Sequence, residues 1–379
     1  MRSLISAHFG HGLWVSANEV HYSSIQGGDA ALKFRYDGRG LLKDILAGPA
    51  LDECSLSQVL DAVESERSPS RTDLVRNVLF AAVPTRSRWS FADSAAILPV
   101  PPGSPEPQEV VADYPFILEV RYQTSARLHL RSLRRRRALR RWELLLCVLV
   151  GWGIHSLGPM TTKRWVLVAT QEDLSDMRSE FLQVGYHVPD YHPPYGALRG
   201  VGAAPMFSVP DEEFYSRRGI SADQVMSVPD SLPMALQRYS FLSVGEQRDF
   251  LRACYWFQLS ERQWELSQSA SYQSLVQSIE ALLPRRIHAD TCTACGRPVQ
   301  GPTRAFKDFV ETYAAWTTSA ERNGFYDLRS SVAHGAVLFE SDGEIDFGGM
   351  HPLRWQQYQT HGRMAQVARI ALVNYLLAR

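Results

Sequence analysis

Net charge is the first thing missing. Forty Lys and Arg residues balance forty Asp and Glu residues. A neutral chain carries no bulk field toward a polyanion, so any nucleic-acid surface must come from a local basic cluster. Cysteine is scarce: five in 379 residues, an odd number. That argues against a disulfide framework and for a reducing compartment. A membrane-length apolar run is also missing. The run Leu144–Ile154 falls far short of the ~20 residues a span needs. It abuts Glu143 and contains glycines, so it reads as a buried helical segment. The opening MRSLISAHFGHGLWVSANEV has no sustained apolar region, so no signal peptide is expected. These features predict a cytoplasmic chain with no membrane partner. A P-loop, a G-x-G-x-x-G after a strand, a nucleophile elbow, an H-E-x-x-H pair and internal repeats are all absent, which removes the commonest signatures of nucleotide, hydrolase and metalloprotease chemistry.

What is present is enough apolar content, 45%, to bury a sizeable core. The length suits two domains of roughly 100–200 residues each. In the first half, LWVSANEVHY, ALKFRYD, FILEVRYQ, RWVLVAT and EFLQVGYHV alternate as strands do. SLSQVLDAVESE and a basic-then-apolar stretch over roughly 127–150 read as helices. VPPGSPEPQEV is a loop, because proline lacks the amide donor that regular structure uses. Residues 189–233 turn to Pro, Gly, Ser and Asp and read as a connector. Beyond it, apolar residues recur at helical spacing in five segments, led by Phe250/Cys254/Phe257 and by Tyr272/Leu275/Val276/Ile279/Leu282/Leu283. The expected fold class is α+β: an N-terminal domain of mixed helix and strand over residues 1–230, then an all-α antiparallel bundle over residues 231–379.

The bundle carries GFYDLRSSVAHGAV, which sets Arg329 five residues before His334 and follows the histidine with Gly335. Arginine offers a permanently charged planar fork to phosphate oxygens. Histidine titrates near neutrality and moves a proton in either direction. Together they suffice for RNA cleavage without a metal: a 2′-hydroxyl attacks, the histidine transfers protons, and the arginine stabilises the charge on phosphorus. At about 100° per residue, however, positions five apart point roughly 140° away from each other. Either the helix ends near Ala333 with Gly335 as a left-handed cap, or a second copy of the chain completes the site. The bare spacing also fits a solvated arginine beside a polar helix terminus.

YDLRSSVAHG, with the upstream SIEALLP, CTACG and AFKDFVETY, resembles HEPN domains (higher eukaryotes and prokaryotes nucleotide-binding), closest to the Apea-like group. The resemblance covers about residues 235–379. It implies a metal-independent endoribonuclease acting on RNA as a homodimer or higher homo-oligomer. The implied setting is antiphage defence or toxin-like abortive infection, with a phage-derived trigger. Carried over by motif, Arg329 and His334 are the catalytic pair, and no cofactor is required for catalysis. Ser330 stands where active members often have Asn, Asp or His. That departure keeps a second reading open, a catalytically silent module binding a nucleotide, nucleic acid or partner protein. Glu280, at the edge of its helix stripe, and Tyr326, on the same helix face as Arg329, are supporting candidates. Each has a plain structural alternative, a solvated carboxylate and a core aromatic.

Two other features carry chemistry. Cys292 and Cys295 in HADTCTACGRP have zinc-knuckle spacing, with His288 as a third candidate ligand and Cys254 among the candidates for a fourth. This is half of a structural zinc signature, and two reduced thiols in a turn is the alternative. The arginine block RLHLRSLRRRRALRRW holds Arg127, Arg131, Arg134, Arg135, Arg136, Arg137, Arg140 and Arg141. On a helix it forms a candidate phosphate-backbone grip, or else a solvated face paired with acidic segments such as LDAVESE or DEEF. Trp142 is the lone aromatic within the block, so no base stacking is expected from it.

Overall fold

The computed structural model describes the chain outside residues 1–11, 24–29, 49–50, 52–56, 67–70, 108–112, 158–162, 170–176, 184–185, 187–203, 285–300 and 344–351 and single positions at 39, 41, 59, 62–63, 65, 218, 220 and 222. A strand-rich N-terminal region precedes a C-terminal helical bundle. By its internal contacts the chain forms two compact units. One comprises Met1–Val75 and Arg121–Ala138, the other Arg76–Val120 and Leu139–Arg379.

The first unit is built on an antiparallel meander of β1 (Leu13–Ser16), β2 (Glu19–Ser23), β3 (Ala30–Tyr36) and β4 (Leu42–Ala47). Its period-two pattern sorts the faces. Val20 lies opposite Phe34 and Tyr22 opposite Leu32, and all four are buried. On the other face Glu19 holds His21 at 2.5 Å and Arg35 at 3.2 Å.

The second unit holds β6 (Trp89–Phe91), β7 (Ala95–Pro99) and most of β8 (Tyr114–Gln123), which follow in antiparallel pairs, and most of β5 (Thr72–Ala81), which flanks β8. Ile97, Phe116, Ile117, Leu118 and Val120 are buried. Strands β9 (Lys163–Ala169) and β10 (Met177–Gln183) pair antiparallel, and the two-residue β11 (Ser208–Val209) and β12 (Val228–Pro229) pair parallel. Helix α1 spans Leu128–Leu149. Ala138, Trp142, Leu145 and Leu149 are buried, and so is everything from Leu144 to Val150. That apolar run is therefore core, and no helix among the described residues is long and apolar enough to cross a membrane.

The helices that follow are α2 (Asp211–Ser216), α3 (Leu232–Phe241), α4 (Val244–Gln263), α5 (Gln268–Glu280), α6 (Pro302–Tyr313), α7 (Ser319–Ala333), α8 (Glu340–Gly343) and α9 (Pro352–Leu377). All five segments expected from apolar spacing are helical. Helix α3 starts at the end of the expected connector, with Pro233 in its first turn, where a missing amide donor does no harm. Helix α5 is the hub, packing against α4, α7 and α9. Its Tyr272, Leu275, Val276 and Ile279 are all within 1% of full burial. Four such side chains contribute about 1.5–3 kcal/mol each, which makes this stripe a main source of bundle stability.

Candidate functional site

Helix α7 begins on a capping box. Thr318 accepts from the Glu321 amide, and the Glu321 carboxylate accepts from the Thr318 amide at 2.8 Å. One turn later Phe325 and Tyr326 enter the core. The Tyr272 hydroxyl of α5 donates to the Phe325 carbonyl at 3.0 Å, which ties the two helices together. Tyr326 packs against the Phe306 ring of α6 at 5.3 Å.

Arg329 comes one turn after Phe325 and sits above this floor. Its Nη2 donates to Glu280 Oε2 at 3.0 Å, and both side chains are less than a quarter exposed. Its Cζ lies 5.6 Å from the Tyr326 ring centroid, within cation–π range. Its Nε is buried and has no hydrogen-bond acceptor among the described residues. The guanidinium is thus anchored on one edge and cushioned on one face, with a donor still to be satisfied. Glu280, Tyr326 and Arg329, three of the five candidates in this segment, form one contact group.

His334 is not in that group. Helix α7 ends at Ala333 and His334 is its C-cap, with φ −91° and ψ 4°. Gly335 has φ +69°. Its amide donates to the Val332 carbonyl at 3.0 Å, and the Ala336 amide donates to the Ser331 carbonyl at 2.9 Å. These two bonds are the Schellman arrangement, which needs a left-handed residue after the cap. Ser330 contributes its carbonyl, which accepts from the His334 amide at 3.0 Å. The His334 side chain is exposed, and no side-chain hydrogen bond reaches its imidazole among the described residues. So the chain itself places Arg329 in a half-buried seat and His334 on an open rim at the same end of the helix.

No family model, curated protein or solved structure matches this chain significantly. The resemblance in YDLRSSVAHG therefore stands on its own residues.

The arginine block divides by burial and partner. Arg134 is structural: its guanidinium donates to the carbonyls of Thr124 and Glu66 at 2.7 Å each and lies 2.9 Å from the Glu66 carboxylate. Glu66 belongs to LDAVESE, the acidic segment weighed as a partner from sequence. Arg131 is half-buried, its Nε buried without a partner, and Arg127 and Arg135 are half-buried as well. Arg136, Arg137 and Arg141 are exposed. Arg140 donates to Glu143 at 2.9 Å and to Gln258 at 2.6 Å. Glu143 is itself buried and also accepts from Gln258, from the Ser156 amide and from the Ser156 hydroxyl.

Cys292, Cys295 and His288 lie outside the described residues. Among the described residues no group of three metal-ligating side chains occurs. Cys254 is fully buried in α4, and Cys147 in α1 donates to Glu261 at 3.0 Å. Burial pushes both thiols up, away from the thiolate that nucleophilic or metal chemistry needs.

Proposed function

We propose that this protein is a HEPN-type endoribonuclease that cleaves RNA by attack of the ribose 2′-hydroxyl on the adjacent phosphorus. The new bond joins the 2′-oxygen to phosphorus, and the bond to the 5′-oxygen breaks. The products are a 2′,3′-cyclic phosphate and a free 5′-hydroxyl. Arg329 binds a non-bridging oxygen of the scissile phosphate, and His334 takes the 2′ proton or delivers one to the leaving oxygen. The observation that carries this reading is the state of Arg329. An arginine held by Glu280 and Tyr326, with its side chain still partly exposed, is preorganised for an oxyanion. In the working site the arginine of one copy pairs with the histidine of a second, in a two-fold dimer. No step needs a metal or cofactor, and the biological setting is defence against phage or toxin-like growth arrest.

The test is incubation of the purified protein with total RNA in EDTA, beside Arg329→Ala and His334→Ala, with the product ends analysed. Cleavage by the wild type alone, leaving 2′,3′-cyclic phosphate, supports the reading. Equal cleavage by all three proteins overturns it. The second reading, a silent module that binds a nucleotide or partner, draws on Ser330 and on the Glu280 carboxylate already holding Arg329. It predicts binding that changes on Arg329→Ala with no cleavage under any condition.

A further inference from the structure

An aromatic surface absent from the arginine block in sequence is supplied by another helix. Two contacts join α1 to α4: Arg140 to Gln258 at 2.6 Å and Cys147 to Glu261 at 3.0 Å. This brings Tyr255 of α4 against Arg140, whose Cζ lies 5.8 Å from the tyrosine ring centroid. Tyr255 is 43% exposed, unlike the neighbouring Ala253, Cys254 and Phe257, which are buried. The Trp256 ring stands at 71° to it, with centroids 5.7 Å apart. On α4, Arg248, Arg252 and Tyr255 fall at i, i+4 and i+7, on one stripe. Arg141, next to Arg140, is exposed. Among the described residues Arg140 pairs with Glu143, and Arg248 and Arg252 both pair with Asp249.

We infer that Tyr255, backed by Arg140, binds single-stranded RNA together with Arg141, Arg248 and Arg252, these three arginines holding phosphates and the tyrosine ring stacking on an unpaired base. An exposed aromatic among arginines is the arrangement that selects single strands, because a duplex keeps its base faces covered. A purely electrostatic patch would not discriminate in this way. The internal bonds of Arg140 to Glu143 and Gln258 hold its guanidinium on the tyrosine ring, so the platform is set before any ligand arrives. The inference deepens the ribonuclease reading by naming the substrate as unpaired RNA, but its evidence is separate from Arg329 and His334.

The test is fluorescence anisotropy of labelled oligouridylate, about a dozen nucleotides long, on full-length His334→Ala protein so that cleavage cannot intrude. Duplex RNA of equal length is the comparison. Tyr255→Ala is expected to weaken single-strand binding about ten-fold or more, from the loss of one stacked base, while Tyr255→Phe keeps the affinity. Arg141→Gln is expected to reduce the steepness of the salt dependence by roughly one phosphate contact. Unchanged affinity in Tyr255→Ala, or duplex binding as tight as single-strand binding, overturns the inference. Binding that depends on Tyr255 in a protein whose wild type never cleaves RNA would leave this surface standing and remove the nuclease reading. Cleavage by the wild type with a Tyr255→Ala affinity equal to wild type would do the reverse.

Discussion

At the scale of single residues, the two informative side chains are Glu280 and His361. Glu280→Gln keeps the shape of the Arg329 anchor and removes its charge. The pair is partly exposed, so stability should change by only about 1 kcal/mol, whereas RNA cleavage should fall by about an order of magnitude as the guanidinium loses its fixed aim. Single-turnover cleavage alongside a melting curve separates the two effects. His361 is a different case, buried in α9 with its Nε2 2.8 Å from the Ser271 hydroxyl. That hydroxyl already donates to the Ser260 carbonyl at 2.7 Å, so it can only accept from the imidazole, and Nε2 carries the proton. The Trp264 ring lies 4.3 Å away. Burial pulls the His361 pKa down to about 4. The unfolded chain then binds a proton that the folded one refuses. Stability is expected to be intact above about pH 6.5 and to drain away as pH falls from there toward 4, by an amount of order 3 kcal/mol. Urea titrations across that range, with His361→Gln as reference, check it: the variant should lose the slope.

At the scale of elements, the ends of helices show what sequence could and could not tell. The left-handed stop at Gly335 was legible, because a glycine directly after the last residues of a helical pattern has a local cause. Gly335→Ala should cost about 1 kcal/mol with no change in the contacts of Arg329, readable as a lowered melting temperature. The start of α5 was not legible. Asp342, seventy-odd positions away, accepts from the Gln268 amide at 2.7 Å, the Ser269 amide at 2.8 Å and the Ser267 hydroxyl at 2.8 Å. Burial raises its pKa, but the bonds from Ser269, Ser267 and Gln268 outweigh that and hold it below the ordinary carboxylate range. Asp342→Ala should cost about 1–2 kcal/mol at neutral pH. For a lowered carboxylate the stabilisation is full above the ordinary carboxylate range and is lost as pH falls through the depressed value. The wild-type advantage over Asp342→Ala should therefore persist at pH 5 and vanish only in stronger acid, which denaturation at matched pH will show. The same distinction between local and distant causes explains the strands. LWVSANEVHY and FILEVRYQ carry their own alternation, while β5, TDLVRNVLFA, alternates poorly and is a strand because β8 lies beside it.

At the scale of the whole molecule, the candidate site was legible as a motif and not as a geometry. The spacing of Arg329 and His334 named the residues, but only the fold shows that Glu280 and Tyr326 attend the arginine alone. The arginine block was half legible in the same sense. Its charge is plain in the chain, yet which arginines are spent on Glu66, Glu143 and Gln258 depends on residues up to 118 positions distant. The pairing of Arg329 in one copy with His334 in another leads to a test of assembly. If one site draws its arginine from one copy and its histidine from another, two inactive variants can repair each other. A two-fold dimer of Arg329→Ala with His334→Ala holds one site lacking both groups and one site with both intact. Random exchange of equal amounts makes about half the dimers mixed, so roughly a quarter of wild-type cleavage should return. Activity that stays at zero after demonstrated subunit exchange would mean that the two residues act within one chain, at the helix end that Gly335 caps.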